Sequence, residues 1–293
     1  MFVIVTLSFA LMKVAPGGPF AREKKVSAVV MENLNKKYHL DEPVLNQYLR
    51  YLGQLLQGDL GVSFKYESRT INQIIEQSLP VSMLLGVLSL LLASVLGVVS
   101  GMISALRQNK WPDYLVMSFA VIGISVPLFV IGPVLQLVFA IWLKWFPLNQ
   151  WFFNHGPKAI VLPMLTLSFP YFAYIARLAR ASLLEVLRSD YIRTARAKGL
   201  KESVVIFKHG LKGAMLPVVS YLAPAFAGIV IGALVVEKTF AIPGMGEYFV
   251  MAAINRDYTL IMAEVVVYSA LLLLANLIVD LMYGLLDPRI AYK

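Results

Sequence analysis

Between residues 81 and 106 the chain reads VSMLLGVLSLLLASVLGVVSGMISAL, without one Lys or Arg. A helix rises about 1.5 Å per residue, and about 20 apolar residues cross the roughly 30 Å hydrocarbon layer of a bilayer. This stretch is long enough to span, and similar windows recur near 114–143, 159–181, 214–236 and 260–286. With 59% hydrophobic residues in 293 and a mean hydropathy of +0.72, the chain is more apolar than a soluble domain of its size. Lipid is the expected solvent, and an all-α integral membrane protein the expected fold class.

The run from Met1 to Met12 makes only about 18 Å of helix. Either it continues past Lys13 or residues precede Met1. No basic stretch precedes it and no small-residue cleavage site follows cleanly, so residues 1–14 are assigned to an uncleaved first span instead of a signal peptide. Lys and Arg then set the orientation. Arg107 and Lys110 lie between the second and third spans. Arg177, Arg180, Arg188, Arg193, Arg196, Lys198, Lys201, Lys208 and Lys212 crowd the connection after the fourth, against Glu185, Asp190 and Glu202. Six transmembrane helices with both termini cytoplasmic satisfy every short loop. The 13–79 connection, where acids offset much of the basic charge, is placed outside.

The sequence pI of about 9.6 reflects charge concentrated on connections between spans, where it meets anionic lipid; nucleic acid is not an expected partner. With no cysteine, disulfide and thiolate chemistry are excluded. The external segment 15–79 reads as a small helical cap. Val26, Val29, Val30, Leu34 and Tyr38 recur at helical spacing, as do Val44, Tyr48, Leu52 and Leu55 after Asp41-Glu42-Pro43. Gly58 ends the second of these helices, and a third, begun by Thr70 with Ile71, Ile74 and Ile75, leads to Pro80.

Pro127, Pro133, Pro163, Pro170, Pro217 and Pro224, with Gly228 and Gly232, interrupt the spans. Carbonyls freed by proline must face protein or water, so this cluster marks helices bordering a cavity or a moving interface. Glu264 and Asp280 lie within the sixth span, with Glu237 and Lys238 at the outer end of the fifth, and acids at membrane depth are candidate functional groups. An ion-coupled carrier needs several such groups and an internal repeat, and no repeat is evident. The chain has no G-x-x-x-x-G-K-[ST] phosphate loop. His39, His155 and His209 lack metal-ligand spacing, and no catalytic constellation stands out. The energy for transport is expected to enter through another subunit.

One stretch offers a grip for such a subunit: Tyr191-Ile192-Arg193-Thr194-Ala195-Arg196-Ala197-Lys198-Gly199-Leu200. The pattern is helical from about Leu183 to Lys198, Gly199 suits the position after a helix end, and a second helix can run from Lys201 through Phe207 to Gly210. Ile192, Ala195 and Gly199 can share one small, close-packing face. The alternative is an interfacial helix whose basic groups bind lipid headgroups.

This stretch, with Leu216-Pro217 after it, resembles the cytoplasmic Glu-Ala-Ala loop of permease subunits in binding-protein-dependent ABC importers, in the form used by the peptide and nickel branch. Arg193-Thr194-Ala195 stands where the general loop has Glu-Ala-Ala. Ala15-Pro16-Gly17-Gly18-Pro19, Tyr38-His39-Leu40 with Pro43, Gly58-Asp59-Leu60-Gly61-x-Ser63, Ile242-Pro243-Gly244-Met245-Gly246, Asn255-Arg256-Asp257-Tyr258 and Asp287-Pro288 extend the resemblance along almost the whole chain. The start is shorter than the family's usual basic opening.

The resemblance implies a type I ABC importer permease fold in the bacterial cytoplasmic (inner) membrane. It implies a non-catalytic subunit that binds no cofactor, paired with a homologous second permease, two ABC ATPase subunits that use ATP and Mg, and an external peptide-binding protein. Residues 80–293 would form the permease core, with a coupling loop at 182–213 and an external loop at 238–258. Oligopeptides are the implied substrate, with dipeptides or nickel as the alternative. Ser168, Tyr171, Tyr174 and Asn276 are candidates to line a path for polar peptide backbones, and Pro243, Gly244, Met245 and Gly246 for an external gate or binding-protein contact. An ion-coupled secondary transporter and a non-transporting membrane scaffold are the rivals from other classes.

Overall fold

The computed structural model describes residues 1–14, 41–66, 68–149, 151 and 156–286. The expected first helix of the cap, the motifs at Ala15–Pro19 and Tyr38–Leu40, His39, His155 and Asp287-Pro288 lie outside these residues. Among the described residues the elements are helical, apart from one isolated antiparallel bridge between Val62 and Thr70. In chain order they are α1 (Phe2–Val14), α2 (Val44–Leu56), α3 (Ile71–Leu106), α4 (Trp111–Ser125), α5 (Leu128–Leu135), α6 (Lys158–Leu187), α7 (Asp190–Ala197), α8 (Leu211–Gly232), α9 (Leu234–Thr239), α10 (Met245–Asn255) and α11 (Tyr258–Leu286). A π-helical turn Gln136–Trp142 extends α5, and a short turn Glu202–Val204 with a π-helical turn Val205–Gly210 leads into α8.

Among the described residues, four helical stretches are long and apolar enough to cross a membrane: Ile71–Leu106, Lys158–Leu187, Glu202–Val230 and Tyr258–Tyr283, with hydropathy from 1.7 to 2.4. The expected span near 114–143 is not one straight helix. Trp111–Ser125 and Leu128–Trp142 meet at 110°. Proline disfavours helical geometry in the residue before it; Val126, before Pro127, is extended at φ −87, ψ 122.

Pro80 has the opposite outcome. The short helix expected before it and the span after it are one helix of 36 residues with Pro80 inside. Losing one backbone bond does not stop a helix anchored on both sides, here by buried Ile71, Ile74 and Ile75 before the proline and Val81 and Leu85 after it. Its start is the one expected. The Thr70 hydroxyl accepts from the Gln73 N–H (3.3 Å) while the Gln73 side chain accepts from the Thr70 N–H (3.0 Å), a capping box.

The chain divides into two compact units. The first comprises residues 1–80 and 244–270. Its core sets Val5 and Phe9 of α1 and Tyr51 of α2 against Met262 and Val266 of α11, with Tyr48, Leu52 and Leu55 packed alongside. Burial pushes the Tyr51 phenol up to about 12. Gly58 ends α2 as expected: it takes φ +75, while the N–H groups of Gly58 and Asp59 reach the Leu55 and Gln54 carbonyls. Glu264, a candidate functional acid of the sixth span, is fully buried, and neither of its carboxyl oxygens has a hydrogen-bond partner among the described residues.

The second unit comprises residues 81–243 and 271–293. Its core gathers Val81, Leu85, Ile160, Leu162, Leu167, Ile229 and Phe240. Buried Glu237 accepts a hydrogen bond from Ser82 at 2.6 Å. A seam of small residues draws α3 and α4 onto α6. A Cβ on Gly101 would stand 2.5 Å from the Ala176 carbonyl, and one on Gly123 2.8 Å from the Ala173 Cβ. Such close backbone approach is how membrane helices gain packing energy when lipid supplies no hydrophobic drive.

Two glycine substitutions should therefore act in opposite directions. Gly101→Val should destabilise by about 1–3 kcal/mol through overpacking. Gly53→Ala, where nothing lies within 4 Å, should stabilise α2 by about 0.5–1 kcal/mol. Thermal unfolding in detergent measures both.

Candidate functional site

The candidate grip is built on the end of α6, and the helix expected from Leu183 to Lys198 breaks at Arg188-Ser189. The Ser189 hydroxyl donates to the Val186 carbonyl (2.6 Å), its backbone is extended at φ −71, ψ 157, and α7 starts at Asp190. A serine that satisfies a carbonyl of one helix and takes an extended backbone ahead of the next is a natural joint. At the other end Gly199 takes φ +75, as expected of the residue after a helix. The segment Lys201 to Gly210 is not a separate helix. It runs unbroken into α8, leaving Pro217 inside that helix.

The expected shared face is split. Ile192 and Ala195 are buried against Val205, with Val186 and Leu187 of α6 beside them. Gly199 stands apart with nothing within 4 Å. Tyr191, Arg193, Thr194, Arg196, Ala197, Lys198, Gly199 and Leu200 are exposed. Arg196 forks onto Glu202 at 2.7 and 3.2 Å across the turn, and that carboxylate raises the guanidinium above its usual value. α7 is thus held from behind by an apolar pair and presents a cationic, partly small-residue face outward.

The candidate path residues fall in different surroundings. Ser168 of α6 is buried and donates to the Leu165 carbonyl at 3.0 Å. Tyr171 is half-buried, its hydroxyl filling the space beside Gly228 of α8. Tyr174 is 46% exposed and stacks on Tyr221 of α8 with ring centroids 4.2 Å apart. Asn276 of α11 is exposed and donates to the Leu272 carbonyl of its own helix at 3.0 Å. Tyr171 and Tyr174 therefore share one face with α8, where Pro217, Pro224 and Gly228 were expected to border a cavity and Ser220 and Tyr221 were missed. On α8, Pro217, Ser220, Pro224 and Gly228 are exposed at helical spacing, and Ser220 accepts a hydrogen bond from Tyr283. That spacing, polar or proline every three or four residues in an apolar helix, was the available signal.

Of the candidate gate residues, Pro243 is exposed, while Gly244, Met245 and Gly246 are buried. Gly244 is extended and precedes α10. Beyond α10, Arg256 is left-handed at φ 58, and Asp257 caps α11. Asp257 is fully buried and gathers donors from two motifs far apart in the chain. Ser63 Oγ–H, the Phe64 N–H (3.2 Å) and the Leu260 N–H (3.3 Å) reach its carboxylate, and Thr259 Oγ1–H is shared between it (3.0 Å) and the Val62 carbonyl (2.8 Å). Ser63 Oγ in turn accepts from the Lys65 and Tyr66 N–H groups at 3.0 and 2.8 Å. Burial, then neighbouring Tyr248, Glu247, Asp257 and Glu264, raise the Tyr66 phenol.

A second buried carboxylate was also missed. Asp113, in the first turn of α4, is 3% exposed. It accepts Arg180 of α6 in a fork at 2.7 and 2.8 Å, the Asn109 N–H at 2.9 Å, and the hydroxyl of Ser104 in the last turn of α3. Lone acids in hydrophobic helices are visible in sequence; the partner that makes this one a three-helix junction is not.

Residues 97–292 match the family model described as binding-protein-dependent transport system inner membrane component. Over its whole length the chain is 48% identical to an oligopeptide transport system permease protein of Salmonella typhimurium, of which it covers 95%. It is 47% identical, over 99% of its length, to a dipeptide transport system permease protein of Bacillus subtilis, of which it covers 93%. Among solved structures, it resembles a chain of an inward-facing methionine ABC transporter, with TM-score 0.56 and 17% identity over 71% of this chain and 95% of that one. It also resembles a chain of an amino acid ABC transporter, with TM-score 0.50 and 16% identity over 72% and 93%. At such identities the structural likeness bears on the fold alone.

The two faces of α7 should separate under mutation. Ile192→Ala should destabilise the chain by about 2–5 kcal/mol, as for a fully buried side chain. Arg193→Ala, at an exposed ion pair, should change stability by less than about 1 kcal/mol. Unfolding in detergent followed by tryptophan fluorescence compares them.

Proposed function

We propose, from the premise that this chain belongs to the family of binding-protein-dependent transport system inner membrane components, that it carries oligopeptides inward through an ATP-driven importer. It is a multi-pass inner-membrane permease subunit of a binding-protein-dependent ABC importer. In this reading six spans leave both termini in the cytoplasm. A homologous second permease pairs with it, two ATPase subunits use ATP and Mg below, and an external binding protein delivers the peptide to a cap formed by residues 15–79. The chain itself binds no cofactor and hydrolyses nothing. Homology to the oligopeptide permease over its whole length supports the substrate class.

The observation that carries the mechanism is α7, a two-turn helix braced from behind by Ile192 and Ala195 and exposed in front. A braced helix seated in a partner's groove transmits displacement, whereas a floppy loop absorbs it. Tyr191 to Leu200 is thus the ATPase-coupling segment. The face that carries Tyr171, Tyr174, Ser220 and Tyr221 lines the path, and Pro243 to Gly246 serve the external gate. Dipeptides are the rival substrate, since the Bacillus subtilis dipeptide permease is almost as similar in sequence.

Ala197→Trp alters the exposed front of α7 without touching its buried back, and Gly199→Asp alters the exposed turn after it, where φ +75 adds strain of its own. Both should lower recovery of the ATPases on gentle purification, and uptake of radiolabelled tri-alanine with it, by about tenfold for each 1.4 kcal/mol of lost docking. Wild-type levels of both would overturn the assignment of α7. Uptake by vesicles holding this chain alone would overturn the importer. Competition by excess di-alanine that exceeds competition by tri-alanine would move the substrate to dipeptides.

The cysteine-free sequence gives a clean background for testing topology. Lys198→Cys should react with an impermeant maleimide only in inside-out vesicles, and Arg50→Cys only in right-side-out ones.

A further inference from the structure

The junction at Asp113 is more elaborate than holding two helices together requires. The Gly97, Gly101 and Gly123 seam already sets α3 and α4 in contact with α6 at Ala173, Ile175, Ala176 and Ala179. At the end of that seam a buried carboxylate accepts both arms of the Arg180 fork, a hydroxyl from α3 and a backbone N–H from the α3–α4 turn. A carboxylate offers about four acceptor sites, and all are used. Apolar packing tolerates sliding. A planar guanidinium–carboxylate fork fixes orientation, because rotating α6 about its axis would break both bonds and leave a charge buried.

Arg180 also lies seven residues, about 10 Å along the helix axis, before the end of α6. Only Arg188 and Ser189 separate that end from α7, and Ile192 of α7 packs beside Val186 and Leu187 of α6. Displacement of α7 is therefore delivered to α6 within two turns of the fork.

We infer that Asp113 and Arg180, with Ser104, are positioning residues that fix the rotation of α6 against α3 and α4, so that movement received at α7 turns the three helices as one body. The pair touches neither peptide nor nucleotide. It sets how much of each ATP-driven stroke reaches the path. This inference rests on the importer reading above and adds to it the residues that transmit the stroke.

The test uses the complete importer, this chain with its partner subunits and binding protein, in proteoliposomes where tri-alanine uptake and ATP hydrolysis are measured together. Arg180→Lys keeps the charge but loses the fork; Asp113→Asn keeps the shape but loses the charge; Ser104→Ala removes one bond. Each should raise the ATP hydrolysed per tri-alanine imported, by about 2- to 30-fold for the first two, with less effect for Ser104→Ala. A purely structural pair would lower hydrolysis, uptake and recovered complex in proportion and leave that ratio at the wild-type value, which overturns the inference. Should Arg180→Lys and Asp113→Asn fail to assemble, Ser104→Ala decides by the same ratio. A wild-type complex that hydrolyses ATP without importing tri-alanine counts against the importer reading instead, so the two failures are distinct.

Discussion

In hydrocarbon every polar group must find its partner within the protein, because no water is there to take it. That constraint explains why the described chain is helical and why Asp257 and Asp113 sit where donors converge; Glu264, buried without a partner among the described residues, departs from it. Asp257 and Asp113 each gather donors from their own turn and from segments distant in sequence. A carboxylate satisfied in this way is costly to disturb from any side. Removing the charged partner of Asp113 strands a charge, whereas removing one neutral donor weakens the junction and leaves the rest of it in place.

α7 shows how stability and recognition are divided over a short helix. Eight residues are too few to hold a helix in isolation; Ile192 and Ala195 hold this one by burying themselves against their own chain. That burial leaves the other face free of structural duty. Its exposed ion pairs add little energy, so that face can be shaped for a partner without unfolding the base. Had the apolar pair pointed outward, docking and folding would have competed for the same atoms.

The apolar windows were legible because length and hydrophobicity are local properties, and the structure places long helices over four of the five. So were the caps at Thr70, Gly58 and Gly199, whose chemistry lies within a few residues. Proline was not legible alone: Pro127 ends a helix and Pro80 does not, and the difference lies in what is buried on either side. The inward turn of Ile192 and Ala195 was missed because helical spacing shows which residues share a face, not what the face meets. Asp113 was missed because its significance depends on Arg180, 67 positions away, which sequence reading had counted as one more basic residue in a loop.

The exposed face of α6 and α8 follows from the same need to satisfy polar groups in hydrocarbon. Pro217 and Pro224 each release a backbone carbonyl one turn earlier, and Ser220, Tyr174 and Tyr221 add polar atoms to the same surface. The Ser220 hydroxyl is met by the Leu216 carbonyl and Tyr283, but bare lipid would leave the freed carbonyls and the Tyr174 and Tyr221 hydroxyls unsatisfied at a cost of several kcal/mol each. The face therefore requires water or another protein against it. In the proposed importer a second, similar subunit would supply protein along the rim, and a peptide path would supply water. The stacked tyrosines suit such a surface, since their rings pack while their hydroxyls remain available.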